Sequence, residues 1–296
     1  MAHCHCSAYD FWFRCVRTLL TIGACIFLVA CSDRNTTTTA RGNLEEPLRI
    51  VSLAPHLTEL LYTAGAGDML VGVVAHSDYP EQARSVRVIG DAFRIDPERL
   101  AEVEPDLILA WQGGNPDEVI DQLISRGYTV VRLSADRITD IPKNLIEIGK
   151  LAGTSEIAVA QAGQFSQAME RLARTHANKS SLKVFYQISL QPLYTVGGDH
   201  PISDIIKLCG GENLFADLKQ LAPIVSLEDV LSRNPDVIVA GDDRAQLDQW
   251  LRWNDLRAAI NGNLFVVDAS LVTRASTRML QGAKQICAHL DRARTR

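Results

Sequence analysis

The sequence predicts an α/β protein made of two similar lobes, each with a central, mainly parallel sheet, joined by a rigid helical linker. Three observations predict it. Short apolar runs alternate with amphipathic segments from residue 48 onward, the rhythm of strand–helix–strand units. That rhythm stops between Thr139 and Asn178 and then returns. Finally, residues 98–110 (ERLAEVEPDLILA) recur as 228–240 (EDVLSRNPDVIVA) at a constant offset of 130 positions. Glu98/Glu228, Pro105/Pro235, Asp106/Asp236, Ile108/Ile238 and Ala110/Ala240 are identical, the signature of an internal repeat.

Residues 1–30 read as a leader. Arg14 and Arg17 precede an apolar run of twelve residues from Leu19 to Ala30, the pattern of a signal peptide, with a short anchor as the alternative. Leu28-Val29-Ala30-Cys31 follows, in the pattern of a bacterial lipobox, with Cys31 as the lipidated mature N-terminus. Residues 31–47 contain four consecutive threonines and no apolar periodicity, as a flexible tether would.

The first lobe is expected over 48–138. Its strands fall at 48–53, 70–74, 106–110 and 129–133, with helices starting near Thr58, Asp96 and Asn115-Pro116. The pair Gly65 and Gly67 lacks a third glycine at the nucleotide-loop spacing, since position 70 is Leu. The linker is expected over 139–180. Ile141, Leu145 and Ile148, then Ala158, Ala162, Phe165, Met169 and Leu172, repeat at three- and four-residue spacing around a break at Gly153-Thr154-Ser155. The second lobe is expected over 181–296, with strands at 183–188, 236–240 and 264–267. A second repeated pair supports the duplication: Thr58-Glu59-Leu60-Leu61 parallels Ser203-Asp204-Ile205-Ile206, and each run ends at a glycine pair.

Composition narrows the function. Hydrophobic residues are 47% of the 296, enough for real cores, and the net charge of −5 comes without a basic stripe, which excludes a dedicated nucleic-acid binder. Of seven cysteines, four lie in the leader and Cys31 is the lipidation candidate. Cys209 and Cys287 remain. In an oxidising compartment they pair most simply with each other, although two separate buried thiols fit the spacing as well.

Two lobes create a cleft, and open α/β sheets bind ligands beyond the carboxyl ends of their strands. The segments there are His76-Ser77-Asp78-Tyr79-Pro80, Trp111-Gln112-Gly113-Gly114-Asn115, 190–198 (LQPLYTVGG) and 270–278 (SLVTRASTR). Aromatic residues, glycine and amides dominate them. No nucleophile–base pair, paired carboxylates, Gly-x-Ser-x-Gly or His-Glu-x-x-His motif is present. The pattern points to recognition and not to an enzyme. No His-rich loop suggests a zinc or manganese receptor.

The lipobox, SDYP, AWQGGN, LCGGENLF and VSLEDVLSRNPDVIVAG together resemble the substrate-binding proteins of vitamin B12 ABC importers, within the helical-backbone class that also binds haem and iron siderophores. The similarity spans 48 to about 290. It implies a lipid-anchored periplasmic monomer that takes a corrinoid edge-on between its lobes, uses no cofactor of its own, and delivers it to a permease dimer with its ATPase subunits. Lipid is the expected membrane contact, and nucleic acid is no partner. The ligand contacts it implies are His76, Tyr79, Phe93, Trp111, Gly113, Tyr194, Ser270 and Arg274. His76, where Tyr is usual, adds a candidate axial ligand for cobalt or haem iron. Ala92 and Ala222 stand near positions where Trp is common, and Ser270 where Asp is expected. Glu98 and Glu228 suit helix N-termini and, as a symmetric pair, would meet arginines of the permease. Cys209 and Cys287 match the family's disulfide positions. Haem or a ferric siderophore is the alternative ligand, and a corrinoid-handling enzyme the alternative class.

Overall fold

The computed structural model describes residues 47–242 and 244–296. The expected leader, Cys31 and all but the last residue of the expected tether lie outside the described residues. In the first lobe the chain runs β1 (Ile50–Ser52), α1 (Pro55–Thr63), β2 (Leu70–Val73), α2 (Pro97–Glu102), β3 (Leu107–Gln112), α3 (Asp117–Ser125) and β4 (Val130–Ser134). Two helices follow, α4 (Asp140–Leu151) and α5 (Ser155–His176). The second lobe begins with β5 (Leu182–Gln187), the hairpin β6 (Ser189–Leu190) and β7 (Leu193–Tyr194), α6 (Pro201–Leu208) and β8 (Gly211–Asn213). It continues through α7 (Leu227–Arg233), β9 (Val237–Gly241), α8 (Arg244–Asp248), α9 (Arg257–Ile260), β10 (Leu264–Val267) and α10 (Met279–Arg294).

Both four-stranded sheets are wholly parallel. Their orders are β2-β1-β3-β4 and β8-β5-β9-β10, the same topology twice. The sequence repeat has a direct physical meaning here. The Asp106 carboxylate accepts the Arg49 N–H at 2.8 Å, and the Asp106 N–H donates to the Arg49 carbonyl at 2.9 Å. Asp236 makes the same two bonds with Lys183, at 2.8 and 2.9 Å. Each Pro-Asp therefore clips the start of one central strand to the start of its neighbour and fixes their register.

The central strands β1, β3, β5 and β9 are buried on both faces over most of their length, as parallel strands between helix layers must be. On one face of the first sheet, Val51, Leu53, Ile108 and Ala110 pack on Leu100, Ile120 and Leu123. Its other face joins a core that runs through the whole molecule. Ile50, Leu107 and Leu109 share it with Ile141, Leu145 and Ile148 of α4, with Phe165 and Met169 of α5, and with Val184, Tyr186, Val239 and Phe265 of the second sheet. The linker helices form a wedge between the lobes: α4 packs on α1 and β4 of the first, and α5 on α6 and α10 of the second. Its two helices meet closely: a Cβ on Gly149 would stand 2.2 Å from the Ala158 Cβ. The turn between them uses Gly153 at φ +71°, a conformation that glycine adopts without steric cost.

Cys209, which ends α6, is joined to Cys287 of α10, with Cα atoms 4.8 Å apart. Arg294 reinforces the same junction by donating to the Cys209 and Gly210 carbonyls at 2.8 and 3.0 Å. The bridge closes a sequence separation of 78 residues. In the chain-entropy view a loop of that length contributes about 4.5 kcal/mol. Replacing both cysteines by serine is therefore expected to lower unfolding free energy by about that amount in urea melts. Unchanged stability would show that α10 is held by its packing alone.

Candidate ligand site

Loops from the two lobes meet at one narrow crevice. The first lobe contributes His56 from the start of α1, Trp111 from the end of β3 and Ala135 after β4. The second contributes His200 and Pro201 at the start of α6, Leu221, and Val272, Thr273, Ala275 and Met279 after β10. The crevice encloses about 60 Å³.

Trp111 is held by its own motif. Its backbone N–H donates to the Asn115 side-chain oxygen at 2.6 Å, and the Asn115 amide donates to the Leu53 and Ala92 carbonyls at 3.0 and 2.9 Å. The indole lies so close on Gly114 that a Cβ there would come within 2.0 Å of the ring. Gly113 is needed for its backbone only: its φ is +81° and nothing approaches its Cβ position. The His56 imidazole stands edge-on to this indole, with centroids 5.1 Å apart and planes at 85°. His56 Nε2 and Trp111 Nε1 are both buried without a hydrogen-bond partner.

Around the crevice the lobes exchange ion pairs. Glu59 of α1 is 2% exposed. Its carboxylate accepts Arg274 at 3.1 Å, Arg278 at 3.2 Å and the Ser276 hydroxyl at 2.5 Å, all from the loop after β10. Arg274 also reaches Asp78 at 2.6 Å, and this bond, with the arginine's charge, lowers the Asp78 pKa. The opposite exchange occurs at Asp204 of α6. It accepts Arg137 at 2.9 and 2.5 Å and the Ile138 N–H at 3.0 Å, from the loop after β4. Glu59 and Asp204 occupy matching places in the second repeated pair. In each lobe, then, the acid on the helix after the first strand binds arginine from the loop after the last strand of the other lobe.

The residues expected as ligand contacts fall into separate groups. Trp111 lines the crevice, and Arg274 sits on its rim within the ion-pair network. Tyr79, 46% exposed, lies under the Arg278 guanidinium, 4.0 Å from the ring centroid. Arg278 also donates to Ser270 at 3.0 Å, so Tyr79, Ser270 and Arg274 are linked through Arg278 and Glu59. His76 is exposed at φ +67°, Phe93 is 67% exposed, and Tyr194 is half-buried in β7, where it pairs with Ile224. None of these three lines the crevice. Glu98 and Glu228 are exposed in the first turns of α2 and α7. Asp96 caps α2 by accepting the Glu98 and Arg99 N–H groups, and Ser226 caps α7 by accepting that of Asp229.

Sequence reasoning missed His56, Glu59, His200 and the Arg137–Asp204 pair. The residues just beyond β1 and β4 are Pro55-His56 and Arg137, so the same strand-end rule reaches them. Glu59 and Asp204 were visible as acids inside otherwise apolar helix starts.

Both crevice imidazoles are held neutral. Burial, helped by the charge of Arg274, lowers His56 to about 3. Burial lowers His200 to about 4 against the opposing pull of Asp204, and its Nδ1 accepts the Ile202 N–H at 3.1 Å to cap α6. Between these values and about 6.5 the unfolded chain binds more protons than the folded one, so stability rises with pH in that window. His56 alone costs roughly 1.4 kcal/mol for each pH unit below about 6.5. The urea midpoint is expected to drop between pH 7 and pH 5, and less steeply in His200→Asn, which keeps a capping side chain. A midpoint that is level across that range would contradict neutral, buried imidazoles.

Comparison with known proteins accords with this architecture. The family model described as periplasmic binding protein matches residues 50–271. The chain is 33% identical to the vitamin B12-binding protein of Vibrio cholerae, over 90% of this chain and 97% of that protein. It is 38% identical to the vitamin B12-binding protein of Yersinia pestis, over 82% and 86%. Among solved structures, the periplasmic vitamin B12 binding protein BtuF of Vibrio cholerae superposes with a TM-score of 0.78 at 33% identity, covering 84% of this chain and 98% of that one. The periplasmic heme-binding protein RhuT from Roseiflexus superposes at 0.74 and 20% identity, covering 83% and 99%, a likeness of fold. With a duplicated parallel α/β lobe, a helical wedge and a family match over most of its length, the chain belongs to the periplasmic binding protein family.

Proposed function

We propose that this protein is the substrate-binding subunit of an ABC importer, and that it captures cobalamin or a related corrinoid between its lobes and hands it to the permease. The observation that carries the reading is its 32–38% identity with vitamin B12-binding proteins over more than four-fifths of the chain. The site geometry supports an uncharged ligand over an anionic ferric siderophore. Arg274 and Arg278, the cations of the loop after β10, are already engaged by Glu59 and Asp78. The corrin ring would lie in the cleft above the crevice, against Trp111, Tyr79, Phe93 and Tyr194, with Gly113 shaping the loop and His76, Ser270 and Arg274 as polar contacts. The lobes divide at 48–138 and 181–296 around a linker at 139–180. Residues 1–30 are a leader, and 31–47 a tether that starts at lipidated Cys31 and holds a periplasmic monomer at the membrane.

The test is an absorbance titration of the purified protein with cyanocobalamin, hydroxocobalamin and haemin. One-to-one saturation by a cobalamin at sub-micromolar concentration is the expected result. Binding of haemin alone, seen as a sharpened Soret band, would keep the fold and replace the ligand. A hydroxocobalamin band shift that is lost in His76→Ala would place His76 on cobalt.

Delivery adds a second expectation. Glu98 and Glu228 repeat at the same place in the two lobes and are both exposed, so they suit a two-fold permease with a cation opposite each acid. The double change Glu98→Ala, Glu228→Ala is expected to leave ligand affinity unchanged and to reduce uptake in cells. Normal uptake by that variant would remove the docking role.

A further inference from the structure

We infer that the crevice at His56 and Trp111 is a slot for one primary carboxamide arm of the ligand. The inference rests on the corrinoid reading and specifies which part of the ligand enters the junction between the lobes.

The first observation is the pair of orphaned nitrogens. Buried polar atoms are almost always hydrogen-bonded, and one left unpaired is destabilising unless something else completes it. His56 is 4% exposed, and its Nε2 and the Trp111 Nε1 both lack a partner. The indole nitrogen is a donor only, whereas a neutral imidazole nitrogen either donates or accepts. A primary carboxamide matches that pair: its carbonyl oxygen accepts from the indole, and its amino group donates to the imidazole.

The second observation is that few other polar side chains line the crevice, and that two of their groups are engaged. His200 Nδ1 accepts from Ile202, and the Thr273 hydroxyl donates to the Ala269 carbonyl at 2.8 Å. The remaining walls are Ala135, Pro201, Leu221, Val272, Ala275 and Met279. A group entering the slot finds mainly apolar walls, the His56 and Trp111 nitrogens, and the Nε2 edge of His200.

Size and charge decide among the parts of a ligand. About 60 Å³ is far too little for a macrocycle and is on the scale of two waters or a single amide arm. A carboxylate is disfavoured because it would enter without a free counter-charge. His56 is neutral, and Arg274 and Arg278 are taken by Glu59. The periphery of a cobalamin carries primary acetamides and propionamides, whereas haem carries carboxylates. The slot therefore favours an amide-bearing corrinoid over haem through a contact remote from the metal.

The test compares dissociation constants of wild type, His56→Phe, His56→Asn and Trp111→Phe for two probes. One is dicyanocobinamide, whose arms are amides, and the other is its heptamethyl ester analogue, dicyanocobyrinic heptamethyl ester. Loss of a paired buried hydrogen bond corresponds to weakening of about 5- to 100-fold. His56→Phe is expected to weaken dicyanocobinamide by that factor and leave the ester unchanged, and His56→Asn to restore most of the loss. Trp111→Phe keeps a ring and removes only the donor to the carbonyl; an ester carbonyl accepts there too, so this variant is expected to weaken both probes, and it tests the slot independently should His56→Phe fail to fold. Equal affinity of wild type and both phenylalanine variants for dicyanocobinamide would overturn the slot and leave water as its occupant. Failure of the wild type to bind any corrinoid would overturn the corrinoid reading itself, a separate and distinguishable result.

Discussion

A carboxylate that is almost wholly buried must be paired, and Glu59 finds its partners 215 and 219 positions away in the other lobe. This exchange, with its counterpart at Asp204, is the constraint on which the rest of the site depends. Removing one member of such a buried pair typically costs about 3–5 kcal/mol, because the other charge stays buried. Neither lobe meets its own electrostatic requirement alone. Glu59 needs the loop after β10, and Arg137, from the loop after β4, needs Asp204. The two pairs are related by the internal repeat, so they brace the junction at two matching places.

The apolar core and the ion pairs act on the same degree of freedom. The α4–α5 pair links α1 and β4 of the first lobe to α6 and α10 of the second, and the acid–arginine pairs fix the loops at the strand ends that face the crevice. Between them lie Trp111, locked by Asn115 and Gly114, and His56, whose neutrality follows from burial beside Arg274. Such a site is prepared before a ligand arrives, and preorganisation lowers the ordering cost of binding. What it offers is shape, ring faces and a few placed hydrogen-bonding groups, the equipment of a binding protein.

Much of the fold was legible because it rests on local pattern. All the strands expected from apolar runs appear within two residues of their expected ends. The Pro-Asp repeat was readable as a duplication, and the structure supplies its reason in the reciprocal bonds to Arg49 and Lys183. β8 escaped detection because Gly211-Glu212-Asn213 has no apolar run; it is a strand because β5 offers an edge beside it. α1 starts at Pro55, ahead of the expected Thr58, since proline fits the first turn of a helix. The site was less legible. Trp111 could be found from its place at a strand end, but the role of Glu59 depends on partners more than two hundred residues away. Arg274 looked like a free cation for a ligand, and only the folded chain reveals that Glu59 and Asp78 engage it.

The central claim is that the reciprocal ion pairs set the spacing of the lobes in advance of binding. Its most direct test is a distance distribution between spin labels at Glu118→Cys and Asp255→Cys, both exposed and in opposite lobes, measured by pulsed electron paramagnetic resonance. The expected result is one narrow distribution that cyanocobalamin leaves in place and that broadens when Glu59 and Asp204 are both changed to Ala. A broad distribution in the unmutated pair background that narrows only with ligand, or a Glu59→Ala, Asp204→Ala protein as narrow as its parent, would contradict it.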